Sequence, residues 1–237
     1  MQRLLLELPE LVDSFAERMI HGDKGTRTTG NRPNLPDPGG RVREVSRAVR
    51  SPVMRIAVYC GAHHGARPEY TTAARRLGES LSERGHDLVY GGGHVGLMGV
   101  VADAVLRGGR EVTGVITEHL MKWEVGHDAV SELVVVPDMA ARKRVMYEMA
   151  DAYIALPGGV GTLEELFEVL CWRTLGLHPR PIGLLEVEGY WSHLVTFLDH
   201  AVDEGFLSHE NRGLLLVDDD IEHLLDDLAA ERTTPTL

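Results

Sequence analysis

Three glycine-rich turns hold the residues of this chain that are best suited to binding an anion. Residues 61–65 read GAHHG, residues 91–96 read GGGHVG, and residues 157–162 read PGGVGT. Glycine lets the backbone approach a phosphate closely and adopt positive φ angles. A helix that begins after such a turn adds unpaired N–H groups and the positive end of its dipole. Three turns of this kind in one chain indicate a nucleotide-type ligand.

The third turn is followed by acidic residues that a phosphate site alone does not need. Thr162 is expected to cap the next helix and to bond a phosphate, with Glu164 and Glu165 in its first turn. Acids there stabilise a helix dipole by about 0.3–1 kcal/mol each, which is one explanation. The other is that a carboxylate acts on an atom beyond the phosphate. The basic run 142–144 (RKR) lies upstream, as a second candidate group or as a charged helix face.

The elements that must position these residues alternate between strands and helices from Met54 onward. Predicted strands are residues 55–60, 87–90, 111–116, 132–136, 152–156, 182–185 and 214–217. Predicted helices are residues 69–84, 96–107, 139–150 (capped by Asp138), 163–175, 191–203 and a short one from 221. The strands are continuous apolar runs, as expected when helices cover both faces of a parallel sheet. The sequence predicts an α/β fold, a Rossmann-like doubly wound parallel sheet, whose ligand binds at the carboxyl ends of strands.

Composition limits the class of protein. The chain has 237 residues and a net charge of −12, so its surface repels nucleic acid. No apolar run approaches the roughly 20 residues of a membrane span, so we expect a cytoplasmic protein without membrane contact. Residues 54–237 are expected to form one domain, and residues 1–53 an N-terminal extension, partly helical and flexible. The extension is either dispensable or a helix that binds a partner.

Cysteine and histidine give no sign of a metal or cofactor. Cys60 and Cys171 both fall in apolar surroundings and are expected to be inert core thiols. His63 and His64 have no acidic or sulfur partner at ligand spacing nearby. The sequence therefore predicts no metal and no cofactor.

Several segments together resemble the Lonely Guy (LOG) family. The family signature P-G-G-x-G-T-x-x-E, preceded by a helix bearing R-K, matches residues 157–165 (PGGVGTLEE) and residues 139–143 (MAARK). Residues 91–99 (GGGHVGLMG) and the stretch 183–190 also resemble the family, and the similarity runs from about Met54 to Val217. The family was once labelled lysine decarboxylase, but this chain has no lysine in a recognisable pyridoxal-phosphate setting.

The resemblance implies a phosphoribohydrolase that acts as a homodimer or larger assembly. It would cleave the N-glycosidic bond of cytokinin riboside 5′-monophosphates, and of AMP, giving the free base and ribose 5-phosphate. Position by position, the family's catalytic arginine and glutamate fall on Arg142 and Glu165. The candidate phosphate-binding residues are Gly158, Gly159, Gly161 and Thr162. The other candidate substrate-binding residues are Gly91, Gly92, Gly93, Lys143, Glu164 and Met98.

The first turn departs from the family pattern. It usually reads Cys-Gly-Ser-Ser, whereas here Ala62 and His63 stand in place of the two serines. Two hydroxyl donors are lost, and His63 or backbone N–H groups are the available substitutes. The base pocket has weaker candidates, which are Met98, Met121, Trp123 and His127.

Two other functions stay open at this stage. A carrier of a nucleotide or of molybdenum cofactor needs the phosphate loop but not the Arg142 and Glu165 pair. An NAD(P)-dependent oxidoreductase is suggested by the G-x-G-x-x-G pattern of residues 91–96, with Glu118 lying 22 residues further on. That pattern follows the second strand, however, where a dinucleotide fold places it after the first. The hydrolase is the favoured interpretation.

Overall fold

The computed structural model describes residues 53–121 and 126–233. Seven strands in this part form one parallel sheet, in the order β4-β3-β2-β1-β5-β6-β7. The strands are β1 Arg55–Tyr59, β2 Asp87–Tyr90, β3 Val112–Thr117, β4 Glu132–Val136, β5 Ala152–Ala155, β6 Ile182–Leu185 and β7 Leu215–Asp218. The strand order reverses direction between β1 and β5, which makes that point the switch of a doubly wound sheet.

Helices connect the strands. They are α1 Pro68–Glu83, α2 Gly96–Arg107, α3 Glu118–Met121, α4 Met139–Met149, α5 Val160–Thr174, α6 Ser192–Asp203, α7 His209–Gly213 and α8 Ile221–Thr233. The short helices α3 and α7 were not expected from the sequence. The predicted Asp138 cap of α4 is confirmed, since its carboxylate accepts a hydrogen bond from the Ala141 N–H at 2.8 Å.

The core lies on both faces of the sheet. On β1, Ile56 and Val58 belong to one apolar cluster, which continues into α1, α2 and α8. The alternate residues Ala57 and Tyr59 belong to a second cluster, which continues into α4, α5 and α6. Burial on both faces is the reason for the continuous apolar runs, and the predicted Rossmann-like fold is confirmed.

Two expectations about local structure are wrong. Helix α5 begins at Val160, three residues earlier than predicted, and its N-cap is Gly159. Thr162 is therefore a residue of the first turn and not the cap, and Glu164 and Glu165 come after that turn. The early start is possible because Gly159 is extended and its carbonyl accepts from the Leu163 N–H at 3.1 Å.

The second wrong expectation concerns the thiols. Cys60 is buried as predicted, but Cys171 is exposed, because it lies on the solvent side of α5. None of the helices in the described ranges is long and apolar enough to cross a bilayer. Residues 1–52, 122–125 and 234–237 lie outside these ranges, so the extension and Trp123 stay predictions.

Candidate active site

A cavity of about 390 Å³ opens at the switch point between β1 and β5. The turns after these strands are joined there, since the Gly61 N–H donates to the Pro157 carbonyl at 3.0 Å. The walls come from these turns, from α1, α2, α4 and α5, and from the segment after β6. The lining residues used below are Cys60, Ala62, His63, His64, Tyr70, Leu97, Met98, Leu120, Met139, Arg142, Gly158, Gly159, Gly161, Thr162, Glu164, Glu165 and Tyr190.

Arg142 projects from α4 into this cavity with its guanidinium held in place. The residue is only 7% exposed. Its Nε donates to the Val115 carbonyl and its Nη2 to the Gly91 carbonyl, both at 3.0 Å. These two bonds leave Nη1 facing Glu165, whose Oε1 lies 3.8 Å away. The backbone of β2 and β3 thus aims one end of the guanidinium at the carboxylate.

The turn after β2 serves Arg142 and does not line the cavity. Gly91, Gly92 and Gly93 are all buried. A Cβ on Gly91 would lie 2.0 Å from Arg142 Nη2, so only glycine leaves room for the guanidinium. The expected contact of these glycines with substrate stays a prediction, and the structure adds a different role for Gly91.

Glu165 lies on α5 at the base of the cavity. Its side chain is 12% exposed. Loss of hydration raises the pKa of this carboxyl to about 7, although the nearby charge of Arg142 opposes the shift. Glu164 raises the pKa further, and Lys143 lowers it. A carboxyl group with a pKa near 7 can take up or release a proton at neutral pH.

Lys143 points away from the cavity. Its ammonium group binds the carboxylate of Glu164 and also that of Glu168, the latter at 3.0 Å. The hydrogen bond to Glu164 is the main reason that the pKa of Lys143 is raised. Lys143 therefore ties α4 to α5, while Glu164, which is half exposed, reaches the cavity lining.

The turn after β5 presents backbone N–H groups to the cavity. The N-cap of α5 is Gly159, which has no side chain to occupy the first N–H groups of the helix, and an anion can therefore use them. Thr162 is only 4% exposed, and a Cβ on Gly158 would lie 2.1 Å from its Oγ1. Across the cavity, the Tyr190 hydroxyl donates to the Gly158 carbonyl. The four predicted phosphate-binding residues all line the cavity.

The cavity also contains residues that the sequence reasoning did not assign. Tyr70 and Tyr190 form an edge-to-face pair with ring centroids 5.5 Å apart. His63, the substitute donor named above, lines the cavity at the position of the second serine of the family pattern, and His64, which had no assigned role, lines it next to His63. All but Tyr70 follow the carboxyl end of a strand, and that position in a doubly wound sheet is the signal that points to them.

The base pocket stays a prediction, and the structure only places its candidate residues. Met98 lines the cavity, as do Leu97, Leu120 and Met139. Met121 and His127 do not belong to the lining. Cys60 lies in the wall, where burial raises the pKa of its thiol well above the ordinary value.

A buried carboxyl beside a guanidinium, at the switch point of a parallel sheet, is the arrangement expected of an enzyme with a Rossmann-like fold. Comparison with known proteins gives the family. The profile of the family described as "Possible lysine decarboxylase" matches residues 98–228. The chain belongs to the LOG family, which shares that historical description.

Individual relatives support the same family assignment. Over 167 residues the chain is 53% identical to the Arabidopsis thaliana cytokinin riboside 5′-monophosphate phosphoribohydrolase LOG7, covering 70% of this chain and 77% of that protein. Over 185 residues it is 48% identical to a probable cytokinin riboside 5′-monophosphate phosphoribohydrolase, LOGL2, of Oryza sativa subsp. japonica, covering 78% and 76%.

A solved structure of the molybdenum cofactor carrier protein from Chlamydomonas reinhardtii has the same fold. The TM-score is 0.60 at 19% identity, over 77% of this chain and 99% of the carrier. At this identity the likeness extends to the fold alone.

Proposed function

We propose that the chain hydrolyses the N-glycosidic bond of cytokinin riboside 5′-monophosphates, and of AMP. The products are the free base and ribose 5-phosphate. The observation that carries the proposal is the pair formed by Glu165 and Arg142 beside the phosphate-type turn. Relatives at about 50% identity that bear the name of this activity support it.

Glu165 acts on the attacking water. Breaking the ribose–nitrogen bond builds positive charge at the anomeric carbon, as in glycoside hydrolysis. The carboxylate stabilises that charge and accepts a proton from the water as the new carbon–oxygen bond forms. The departing base takes up a proton from solvent and Glu165 returns the proton that it gained, so that one water molecule is consumed overall. A general base of this kind contributes about 10²–10⁴-fold in rate.

Arg142 is a positioning residue for Glu165 as well as a donor toward substrate. Because two of its nitrogens are held by backbone carbonyls, Nη1 keeps a fixed direction toward the carboxylate. This arrangement costs little reorganisation during the reaction, which is the basis of electrostatic preorganisation.

The 5′-phosphate binds at the start of α5. The N–H groups of residues 158–162 and the positive end of the helix dipole favour an anion there. His63 and the backbone N–H groups of the turn after β1 supply donors in place of the two missing hydroxyl groups. The acidic surface of the chain repels polyanions but leaves this local site open to a single nucleotide.

The alternatives have less support. A carrier needs the phosphate loop but gives no reason for a buried carboxyl beside Arg142. For a dinucleotide enzyme, the G-x-G-x-x-G turn should hold the pyrophosphate, yet the Gly91 end of that turn holds the guanidinium of Arg142.

The central experiment measures free base by chromatography after incubation with AMP or isopentenyladenosine 5′-monophosphate. We expect Glu165→Gln and Arg142→Ala each to lower release by at least about 100-fold. Glu148→Gln and Arg144→Ala are matched controls on exposed positions of α4 and should keep the wild-type rate. Near-wild-type release by Glu165→Gln would overturn the assignment. Tight nucleotide binding by the wild type without base release would favour the carrier.

We also infer a homodimer or larger assembly, as the family resemblance implies. Val160 is 84% exposed at the start of α5, and Leu175 and Leu177 are 67% and 64% exposed at its end. These apolar side chains are suited to burial against a second copy. Light scattering during size-exclusion chromatography tests this, and a monomeric mass at micromolar concentration would contradict it. The cytoplasmic location stays a prediction from the sequence.

A further inference from the structure

Two histidines and an aspartate come together on the β2 side of the sheet. His94 lies in the glycine turn after β2, Asp103 lies on α2, and His127 directly follows Gly126. An antiparallel bridge between Gly93 and Gly126 brings the two histidine-bearing segments side by side. None of the three side chains lines the candidate active-site cavity.

The donor atoms of this cluster lie at the separations of a nearly formed metal site. One ligand atom from each of the three residues lies within 4.8 Å of the others. His127 Nε2 is 2.8 Å from Asp103 Oδ1, and the two imidazole rings are 4.6 Å apart at 80°. Zinc takes imidazole nitrogen and carboxylate oxygen at about 2.0–2.2 Å in a tetrahedral arrangement. His94 is exposed, so its side chain can turn to close the remaining distance.

His127 is buried, and one of its two ring nitrogens has no hydrogen-bond partner among the described residues. It is 2% exposed, and its Nδ1 has no hydrogen-bond partner in the part of the chain that the structure describes. Because Nδ1 accepts no hydrogen bond there, it can carry the ring proton and leave the lone pair of Nε2 free for a metal ion. Nε2 faces Asp103, the group that would share the ion with it.

An ion can reach this position from solvent. The Asp103 side chain is 45% exposed, and His94 is exposed as well. The net charge of −12 also raises the local concentration of cations around the chain.

We propose that His94, Asp103 and His127 bind a divalent transition-metal ion of the zinc type, with solvent as the fourth ligand. The ion displaces the proton shared by His127 Nε2 and Asp103 Oδ1. It joins the turn after β2 to α2 and to the segment that begins at Gly126. The site is separate from Arg142 and Glu165, and its existence does not depend on the proposed hydrolysis.

The test is titration of the tag-free full chain with Co²⁺, followed by its visible absorption, and with Zn²⁺ by calorimetry. We expect one equivalent to bind, and His94→Ala and Asp103→Asn each to weaken the affinity by at least about tenfold. His209→Ala, which removes an exposed histidine on α7, is the matched control and should bind like the wild type.

Two results would overturn the proposal. One is a wild type that shows no saturable binding, and the other is His94→Ala binding as tightly as the wild type. His94 is the decisive position because it is exposed, and its replacement leaves the core intact. As a second readout, Zn²⁺ should raise the melting temperature of the wild type, since it binds only the folded state, and should not raise that of His94→Ala. Neither readout depends on hydrolytic activity.

Discussion

At the scale of single residues, the site depends on two opposing effects on Glu165. Burial raises the pKa of its carboxyl, and the guanidinium of Arg142 lowers it. Burial prevails because the closest approach of the two groups is 3.8 Å, longer than a hydrogen bond, and because Arg142 already donates to two carbonyls. The result is a carboxyl that changes protonation near neutral pH.

This pKa sets the expected pH dependence of the reaction. If the carboxylate of Glu165 is the base, kcat/KM should fall as the pH drops below about 7, with a slope of one proton, because this quantity reports the substrate-free enzyme. The substrate phosphate also titrates near pH 6, so the carboxyl should be measured directly in substrate-free protein. Its ¹³C NMR signal, assigned by its absence in Glu165→Gln, should titrate near 7. A midpoint near 4.5 would contradict the prediction.

The raised pKa of Glu165 also predicts that its ionised carboxylate lowers the free energy of unfolding above pH 7. Its folded pKa of about 7 exceeds the ordinary 4.5, so between these values the folded state binds the extra proton. Binding of this proton stabilises the folded state. The full stabilisation is present below pH 4.5 and is lost as the pH rises through 7. Glu165→Gln should therefore be more stable than the wild type by about 3 kcal/mol at pH 8, and nearly equal to it at pH 4.5.

Urea unfolding at the two pH values measures this difference. Glu148→Gln, on an exposed position, should show no such change between them. Equal stability of Glu165→Gln and the wild type at pH 8 would mean that burial does not raise the pKa of the carboxyl.

At the scale of elements, the turn after β2 acts as a support for α4. Its Gly91 carbonyl holds Arg142, and the carbonyl of Val115 on β3 holds the same guanidinium from the other side. Two strands and a helix thus determine one side-chain direction. The pattern of residues 91–96 resembles a dinucleotide fingerprint, but its first glycine, Gly91, is needed here because a Cβ would collide with Arg142.

Gly91→Ala tests that support. The added Cβ would lie 2.0 Å from Arg142 Nη2 and should displace the guanidinium from the Gly91 carbonyl. We expect activity to fall by a factor similar to that of Arg142→Ala, while circular dichroism stays native. Gly213→Ala is the control, because a Cβ there meets no atom within 4 Å. Full activity of Gly91→Ala would show that the turn does not position Arg142.

At the scale of the whole molecule, Met54 is the first core residue in the described part of the chain. This residue is fully buried, its N–H donates to His86 Nδ1 at 3.1 Å, and its carbonyl accepts from Asp87. The described members of both apolar clusters and of the cavity lining all lie at Met54 or beyond.

We therefore expect a chain that starts at Met54 to fold and to release adenine from AMP at the rate of the full chain. Thermal unfolding and the chromatographic assay measure the two properties. If the truncated protein instead folds but has lost most of its activity, residues 1–53 take part in the function.

The sequence by itself determined the order of the strands and of the longer helices, and the turn that faces the site. Alternating apolar runs and helical segments predict the parallel sheet, because burial on both faces favours such strands. The carboxyl ends of parallel strands lie on one edge, which predicts a ligand at the turn of residues 157–162. The pairing of Arg142 with Glu165 was an expectation from the resemblance to the LOG family. The start of α5 was misjudged, because Val160 and Gly161 are poor helix formers by propensity and the N-terminal position outweighs that preference.

Only the tertiary structure decided what each charged group does. Lys143 pairs with Glu164 and Glu168, while its neighbour Arg142 turns toward Glu165, and nothing in the order RKR distinguishes them. The pKa of Glu165 depends on how much water burial removes, which is a property of the packed cavity. The approach of His94, Asp103 and His127 likewise depends on strand order, because residues so distant in the chain share no spacing pattern.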